Sequence, residues 1–293
     1  MFKKILIFTS LIFAFVLSGC GGGGGGDSKL PTEPSKSQRA TLTEANSEKV
    51  AESSFGAIEL LKENDADELY TRKTAVLKRS LKKVSQSARD ISLRAIASDY
   101  SATCDNGGSV DADKISDKET NVKYHNCEVD GITYNGEANV VIINDNSVEV
   151  TFKDFSAKDS TQTLSIEYGV FKIDSAASSV KIEKLYATQK IDGKKYEFLN
   201  YYTSYIYDSN EDTYTLSFKG WVKSDCIGGY VYLKSTSELT YYDIDDIVGS
   251  FEVSSKGKKI QITFDHDEVT ITDVAGDSET ISLDEYKQEI ACD

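Results

Sequence analysis

The chain has 293 residues and is 39% hydrophobic, with 12 Phe and 17 Tyr, enough apolar mass for a sizeable core and against wholesale disorder. Its formal charge of −15 is uneven: residues 101–293 hold 18 Lys and Arg against 36 Asp and Glu, a net of −18, whereas residues 1–100 carry 15 against 12, a net of +3. Phosphate binding needs concentrated Lys and Arg, so a body this acidic excludes nucleic acid as the main partner.

Lys3 and Lys4 precede an apolar run from Ile5 to Leu17, about 13 residues, and then Leu17-Ser18-Gly19-Cys20. The run falls short of the ~20 residues a helix needs to cross hydrocarbon, so residues 1–19 read as a secretory signal peptide and not as a membrane span. The small pair Ser18-Gly19 lets a peptidase approach, and the Cys20 thiol can be alkylated. Leu17-Ser18-Gly19-Cys20 resembles the bacterial lipobox. The resemblance implies cleavage before Cys20, lipidation of Cys20, and a membrane partner held through two or three acyl chains, where one would hold only marginally. Gly21, standing where an aspartate would retain a lipoprotein, implies release to the outer membrane in a host that has one. Residues 20–40 then read as a leash, with six glycines from Gly21 to Gly26 and the chain's two prolines, Pro31 and Pro34. A Gly-rich coil of about 20 residues spans roughly 25 Å.

Residues 41–97 read as a helical segment. Thr41 and Glu44 have capping-box spacing, and Val50, Ala51, Phe55, Ile58 and Leu61 follow at helical intervals. After a polar break at Asn64-Asp65, Leu77, Leu81, Val84, Ala88, Ile91 and Ala95 predict a second helix with one buried face. Eight basic residues against the single acid Asp90 lie between Leu69 and Ile96. That helix is expected to dock on the acidic body, the alternative being that its basic face meets anionic lipid headgroups.

From about Tyr100 the period changes to two, which predicts antiparallel strands with one buried face over residues 98–293. Val148, Val150 and Phe152 alternate with polar residues, as do Leu164 and Ile166, then Ile260, Ile262 and Phe264, then Val269 and Ile271. Turns are predicted at Asp130-Gly131, Asn135-Gly136, Asp192-Gly193, Ser209-Asn210, Lys256-Gly257 and Gly276-Asp277. The expected fold is therefore mostly β (α+β): an N-terminal helical element on a large antiparallel meander sheet, or a β-sandwich or roll, of about ten to thirteen strands. The absence of proline from this region suits long unbroken ladders.

Beyond Cys20, four cysteines remain, Cys104, Cys127, Cys226 and Cys292. An even number in an exported chain predicts two disulfides. Of the three connectivities, Cys104–Cys127 with Cys226–Cys292 is favoured, because each half of the β body would be closed by its own bridge. No pair has C-x-x-C spacing, which weighs against a metal site. The stretch Cys104-Asp105-Asn106-Gly107-Gly108, with Tyr124-His125-Asn126-Cys127, Gly131 and Asn135-Gly136, resembles a pattern that recurs in uncharacterised proteobacterial lipoproteins. That resemblance implies a paired-cysteine β module on a lipid tether and supplies no activity.

The chain holds two histidines, His125 and His266, and neither a G-x-S-x-G, an H-E-x-x-H nor a P-loop motif. Asp111, Asp113 and Asp117 have oxygen ligands at calcium-loop spacing, but Ser116 stands at the sharp-turn glycine position and Val122 where the bidentate acid belongs. A solvated acidic surface is the plainer reading, for Asp243, Asp245 and Asp246 and for Asp265–Glu268 as well. Tyr201, Tyr205 and Tyr207 fall on one face of a strand, with Trp221, Tyr230 and Tyr232 on neighbouring segments. Such rings suit either a buried sheet face or a surface for a glycan or protein. The sequence thus predicts a lipid-anchored envelope protein, on the periplasmic or surface face, acting as a non-catalytic binding or structural module without cofactor or metal. The alternative is a carboxylate-dependent extracytoplasmic hydrolase.

Overall fold

The computed structural model describes residues 30–60, 100–191, 193–243 and 245–288, and among these it has two α-helices, two short 3-10 helices and fifteen strands. The signal segment, Cys20, the glycine run, the second helix with its basic face, and Cys292 lie outside the described residues. Helix α1 (Ser47–Glu59) starts later than Thr41 because Thr43 and Asn46 first close a 3-10 turn. The Thr43 amide donates to Asn46 Oδ1 at 2.8 Å, and Asn46 Nδ2 reaches back to the Thr41 carbonyl at 2.9 Å. Val50, Ala51, Phe55 and Ile58 are all buried on it, as the helical spacing predicts.

The strands are β1 (Tyr100–Thr103), β2 (Ser109–Ser116), β3 (Glu119–Val129), β4 (Ile132–Asn144), β5 (Ser147–Lys158), β6 (Gln162–Asp174), β7 (Ser179–Ile191) and β8 (Lys194–Asp208). They continue as β9 (Thr213–Ser224), β10 (Val231–Ser235), β11 (Leu239–Asp243), β12 (Asp246–Ser255), β13 (Lys258–His266), β14 (Glu268–Thr272) and β15 (Ser278–Ser282). All pair antiparallel with chain neighbours in a single sheet, except that β10 and β11 both lie between β9 and β12. The two are halves of one broken strand, which together with the four- and five-residue strands at the sheet's ends takes the count above the ten to thirteen expected. At the break the Ser235 hydroxyl stands in for backbone, accepting from the Phe218 amide at 2.8 Å.

Alternation sets the two faces. In β5, Val148, Val150 and Phe152 are buried while Glu149 and Thr151 are half-buried, and Ile260, Ile262 and Phe264 of β13 repeat the pattern. Helix α1 packs on the inner, apolar face over β9, β12 and β13. Phe55 meets the Phe264 ring at 5.0 Å and Tyr286, from helix α2 (Leu283–Gln288), at 5.5 Å.

Asn135-Gly136 is not a turn, as its sequence suggests, but lies within β4. Gly136 has φ +106° and sits so close to β5 that a Cβ would fall 2.3 Å from the Asp154 carbonyl oxygen, where β5 bulges through Asp154 at φ 48°. Gly220 of β9 faces the Asn200 bulge of β8, φ 49°, in the same manner. A bulge bends its strand and increases local twist, so these pairings curl the long sheet around its apolar face. The predicted turns at Asp130-Gly131 and Lys256-Gly257 are hairpin turns, both residues of each having positive φ.

Candidate functional site

The polar outer face of the sheet carries the chemistry. Residues Pro31–Thr43, whose first ten composition assigns to the leash, lie against the body. Arg39 forms a parallel bridge with Tyr230: the Ala40 amide donates to the Tyr230 carbonyl at 2.9 Å, and the Tyr230 amide to that of Gln38 at 2.8 Å. Asn200 Nδ2 donates to the Thr32 carbonyl at 3.2 Å, the buried Ser255 hydroxyl to Ala40 at 2.6 Å, and Lys256 Nζ to the Thr41 hydroxyl at 3.0 Å. Gly229 permits the approach, since a Cβ there would come within 2.6 Å of the Ala40 nitrogen.

Register places Trp221, Tyr232, Ser254 and Lys259 in one row across β9, β10, β12 and β13. The Trp221 and Tyr232 rings meet edge to face at 5.2 Å, and the Arg39 guanidinium lies 4.6 Å above the indole. Arg39 is anchored by Glu33 at 2.8 Å and the Pro34 carbonyl at 3.2 Å. Beside the rings opens a groove of about 570 Å³, lined also by Glu252, Lys256 and Lys258.

A second groove, about 460 Å³, lies beside Pro31 at the start of this Pro31–Thr43 strap and is lined also by Glu167 and Glu197. Glu197 Oε1 accepts from Lys195 Nζ at 2.7 Å and Lys223 Nζ at 3.1 Å, and Oε2 from the Tyr230 hydroxyl at 2.7 Å. Burial acts to raise the Glu197 carboxyl, but these three hydrogen bonds and the Lys223 charge outweigh it and hold the group at about 2 instead of 4.5. Burial and the Glu197 acceptor together push the Tyr230 phenol up. With its folded-state value depressed, Glu197 contributes stability that is complete above pH 4.5 and lost as the pH falls through about 2. Discounted for solvent screening, that contribution is about 1–2 kcal/mol. Glu197→Gln is expected to lower the unfolding free energy at pH 7 by that amount, the deficit shrinking as urea titrations are repeated from pH 4.5 downward.

The six aromatic candidates separate. Tyr201 and Tyr205 belong to the core, 1% and 5% exposed, and burial pushes the Tyr201 phenol up. Tyr207 lies near the C-terminal end of β8, donating to Asp212 at 2.8 Å. Trp221 and Tyr232 share the outer groove, and Tyr230 joins the strap to Glu197. Cys104 and Cys127 are bridged, their Cα atoms 5.4 Å apart. Cys226 is disulfide-bonded too, its partner outside the described residues.

Asp111 and Asp113 stand on β2 and not in a loop; Asp111 accepts from the Ser101 hydroxyl at 2.6 Å and lies 3.1 Å from His125 Nε2. His266 pairs with Asp246 at 2.8 Å, and Asp245 with Lys287 at 2.9 Å. Among the described residues no three His, Cys, Asp or Glu side chains form a metal-ligand set. No protein family, curated protein or solved structure matches the chain. The residues that sequence reasoning missed are Arg39, Glu197, Glu252 and the lysines of the β12–β13 hairpin.

Proposed function

We propose that this chain is a lipoprotein of the bacterial cell envelope, anchored through Cys20 at the outer membrane, and that its β body is a non-catalytic binding module. The observation that carries the reading is the outer-face groove: an indole, a phenol and a guanidinium held in fixed geometry by the strap, on the side of the sheet turned away from the core. Pockets of this size with a few convergent polar groups are typical ligand sites. Glu197 does not fit the general-acid role in the hydrolase alternative, which needs a carboxyl pushed up toward neutrality where this one is pulled down to about 2.

Lipidation and disulfide pairing constrain each other. Cys104 and Cys127 bond to one another, so within the chain the partner of Cys226 is Cys20 or Cys292. Acylation consumes the Cys20 sulfur, which leaves Cys226–Cys292. Non-reducing peptide mapping of the membrane-extracted protein is expected to show that bridge and an acylated N-terminal Cys20. Cys20→Ser is expected to abolish acyl labelling and either release the protein from membranes or leave it unprocessed. Cleavage at the same bond with unchanged membrane association would refute the anchor, and a Cys20–Cys226 bridge would refute both assignments.

A further inference from the structure

We infer that the groove beside Trp221 binds an acidic saccharide, a glycan whose sugars bear carboxylate or phosphate. The inference rests on the binding-module reading above and adds the class of ligand.

The charge of the groove favours an anionic ligand. The body is strongly acidic, yet the groove is lined by four bases, Arg39, Lys256, Lys258 and Lys259, against two acids, Glu33 and Glu252. Both acids are already neutralised within the groove, Glu33 by Arg39 at 2.8 Å and Glu252 by Lys259 at 2.7 Å. Lys256 donates one hydrogen bond to the Thr41 hydroxyl and has no acidic partner there. The Lys258 ammonium has no hydrogen-bond or ion-pair partner among the described residues. Two cations are thus left over on a surface where acids otherwise prevail. Lys256 is the first residue of the Lys256-Gly257 turn, with φ values of 49° and 81°, and Lys258 follows it at the start of β13.

Trp221 and Tyr232 line the same groove as those lysines. Trp221 and Tyr232 are half-buried, and the Tyr232 hydroxyl has no partner among the described residues. Aromatic rings accept the C–H faces of pyranose rings, while a free phenol and the Ser254 hydroxyl suit sugar hydroxyls. An excess of two positive charges matches a ligand with sparse anionic groups. A dense polyphosphate chain would be repelled by the rest of the body, whose long-range field is negative.

Trp221 is the only tryptophan in the chain, so emission excited at wavelengths beyond tyrosine absorption reports on this groove alone. The test titrates the full chain in detergent with a hyaluronan hexamer, whose carboxylates stand on every second sugar, its carboxyl-reduced neutral counterpart, and glycerol phosphate. Saturable change in Trp221 emission with the acidic hexamer is expected, weakened by salt and at least tenfold weaker for Lys256→Gln/Lys258→Gln, whose unchanged melting temperature shows the fold intact. The neutral hexamer and glycerol phosphate are expected to bind at least tenfold more weakly. Equal binding of the two hexamers overturns the acidic class but leaves a binding module. Glycerol phosphate binding as tightly as the hexamer makes this a headgroup or phosphate site and overturns the saccharide. Silence toward all three overturns the inference, while the anchor stands or falls separately on Cys20→Ser.

Discussion

Phe55→Ala is expected to lower the unfolding free energy by about 3–5 kcal/mol, the range for emptying a buried phenylalanine site. The side chain is fully buried and touches two elements far from it in sequence, Phe264 of β13 and Tyr286 of α2. Those two rings also meet each other at 6.0 Å, and Phe264 lies 6.1 Å from Phe251, so the ring of Phe55 closes an aromatic cluster that joins α1, the sheet and α2. Alanine is a better helix former than phenylalanine, so α1 itself gains from the substitution and the whole loss belongs to packing. Guanidinium titration measures it: the midpoint falls while the slope stays constant. Lys49→Ala, an exposed position on the same helix, is expected to change stability by less than about 0.5 kcal/mol. A loss below about 1 kcal/mol at Phe55 would mean that α1 does not belong to the core.

How far the sequence discloses this fold depends on how local each cause is. Alternation is local, which is why β5, β6, β13 and β14 are readable strand by strand. Curvature is not. Gly136 resembles a turn glycine because a turn and a bulge ask the same thing of it, a positive φ, and only the approach of Asp154 from the next strand distinguishes them. Bulges also reset parity. Because Asn200 is extruded from β8, Leu199 faces outward opposite Trp221 and Tyr202 faces outward opposite Lys219, leaving Tyr201 and Tyr205 inside. The candidate aromatics were therefore visible as a set, while their division between core and groove was not. Within the Glu197 cluster Lys195 is two residues away on the same strand face, a contact that alternation permits; Lys223 and Tyr230 arrive only through pairing register. Arg39 reaches Trp221 across most of the chain, and no pattern in its own segment announces that.

Removing the Cys104–Cys127 bridge by Cys104→Ala/Cys127→Ala is expected to cost about 3 kcal/mol, the chain-entropy value for a loop of this size. The two cysteines are 23 residues apart in sequence. The loss has a definite address. Among the described strands β1 is an edge strand of four residues, paired only with β2, and Cys104 follows its last residue while Cys127 lies on β3. The loop between Cys104 and Gly108 folds back over β3, the Asn106 amide donating to the Glu128 carbonyl at 3.1 Å and the Glu128 amide to that of Gly107 at 2.9 Å. Gly108 seals the arrangement, since a Cβ there would fall 2.0 Å from the Asn126 carbonyl oxygen. Alanine suits position 127, which is 3% exposed and would leave a serine hydroxyl buried. Hydrogen exchange of the double variant is therefore expected to quicken at Tyr100–Thr103 and at residues 105–108, with Phe251 and Val253 unchanged below the global unfolding limit. Acceleration spread evenly over the sheet would contradict an edge clamp. Dithiothreitol on the parent protein opens the Cys226 bridge as well, so any destabilisation beyond that of the double variant measures what the second bridge contributes.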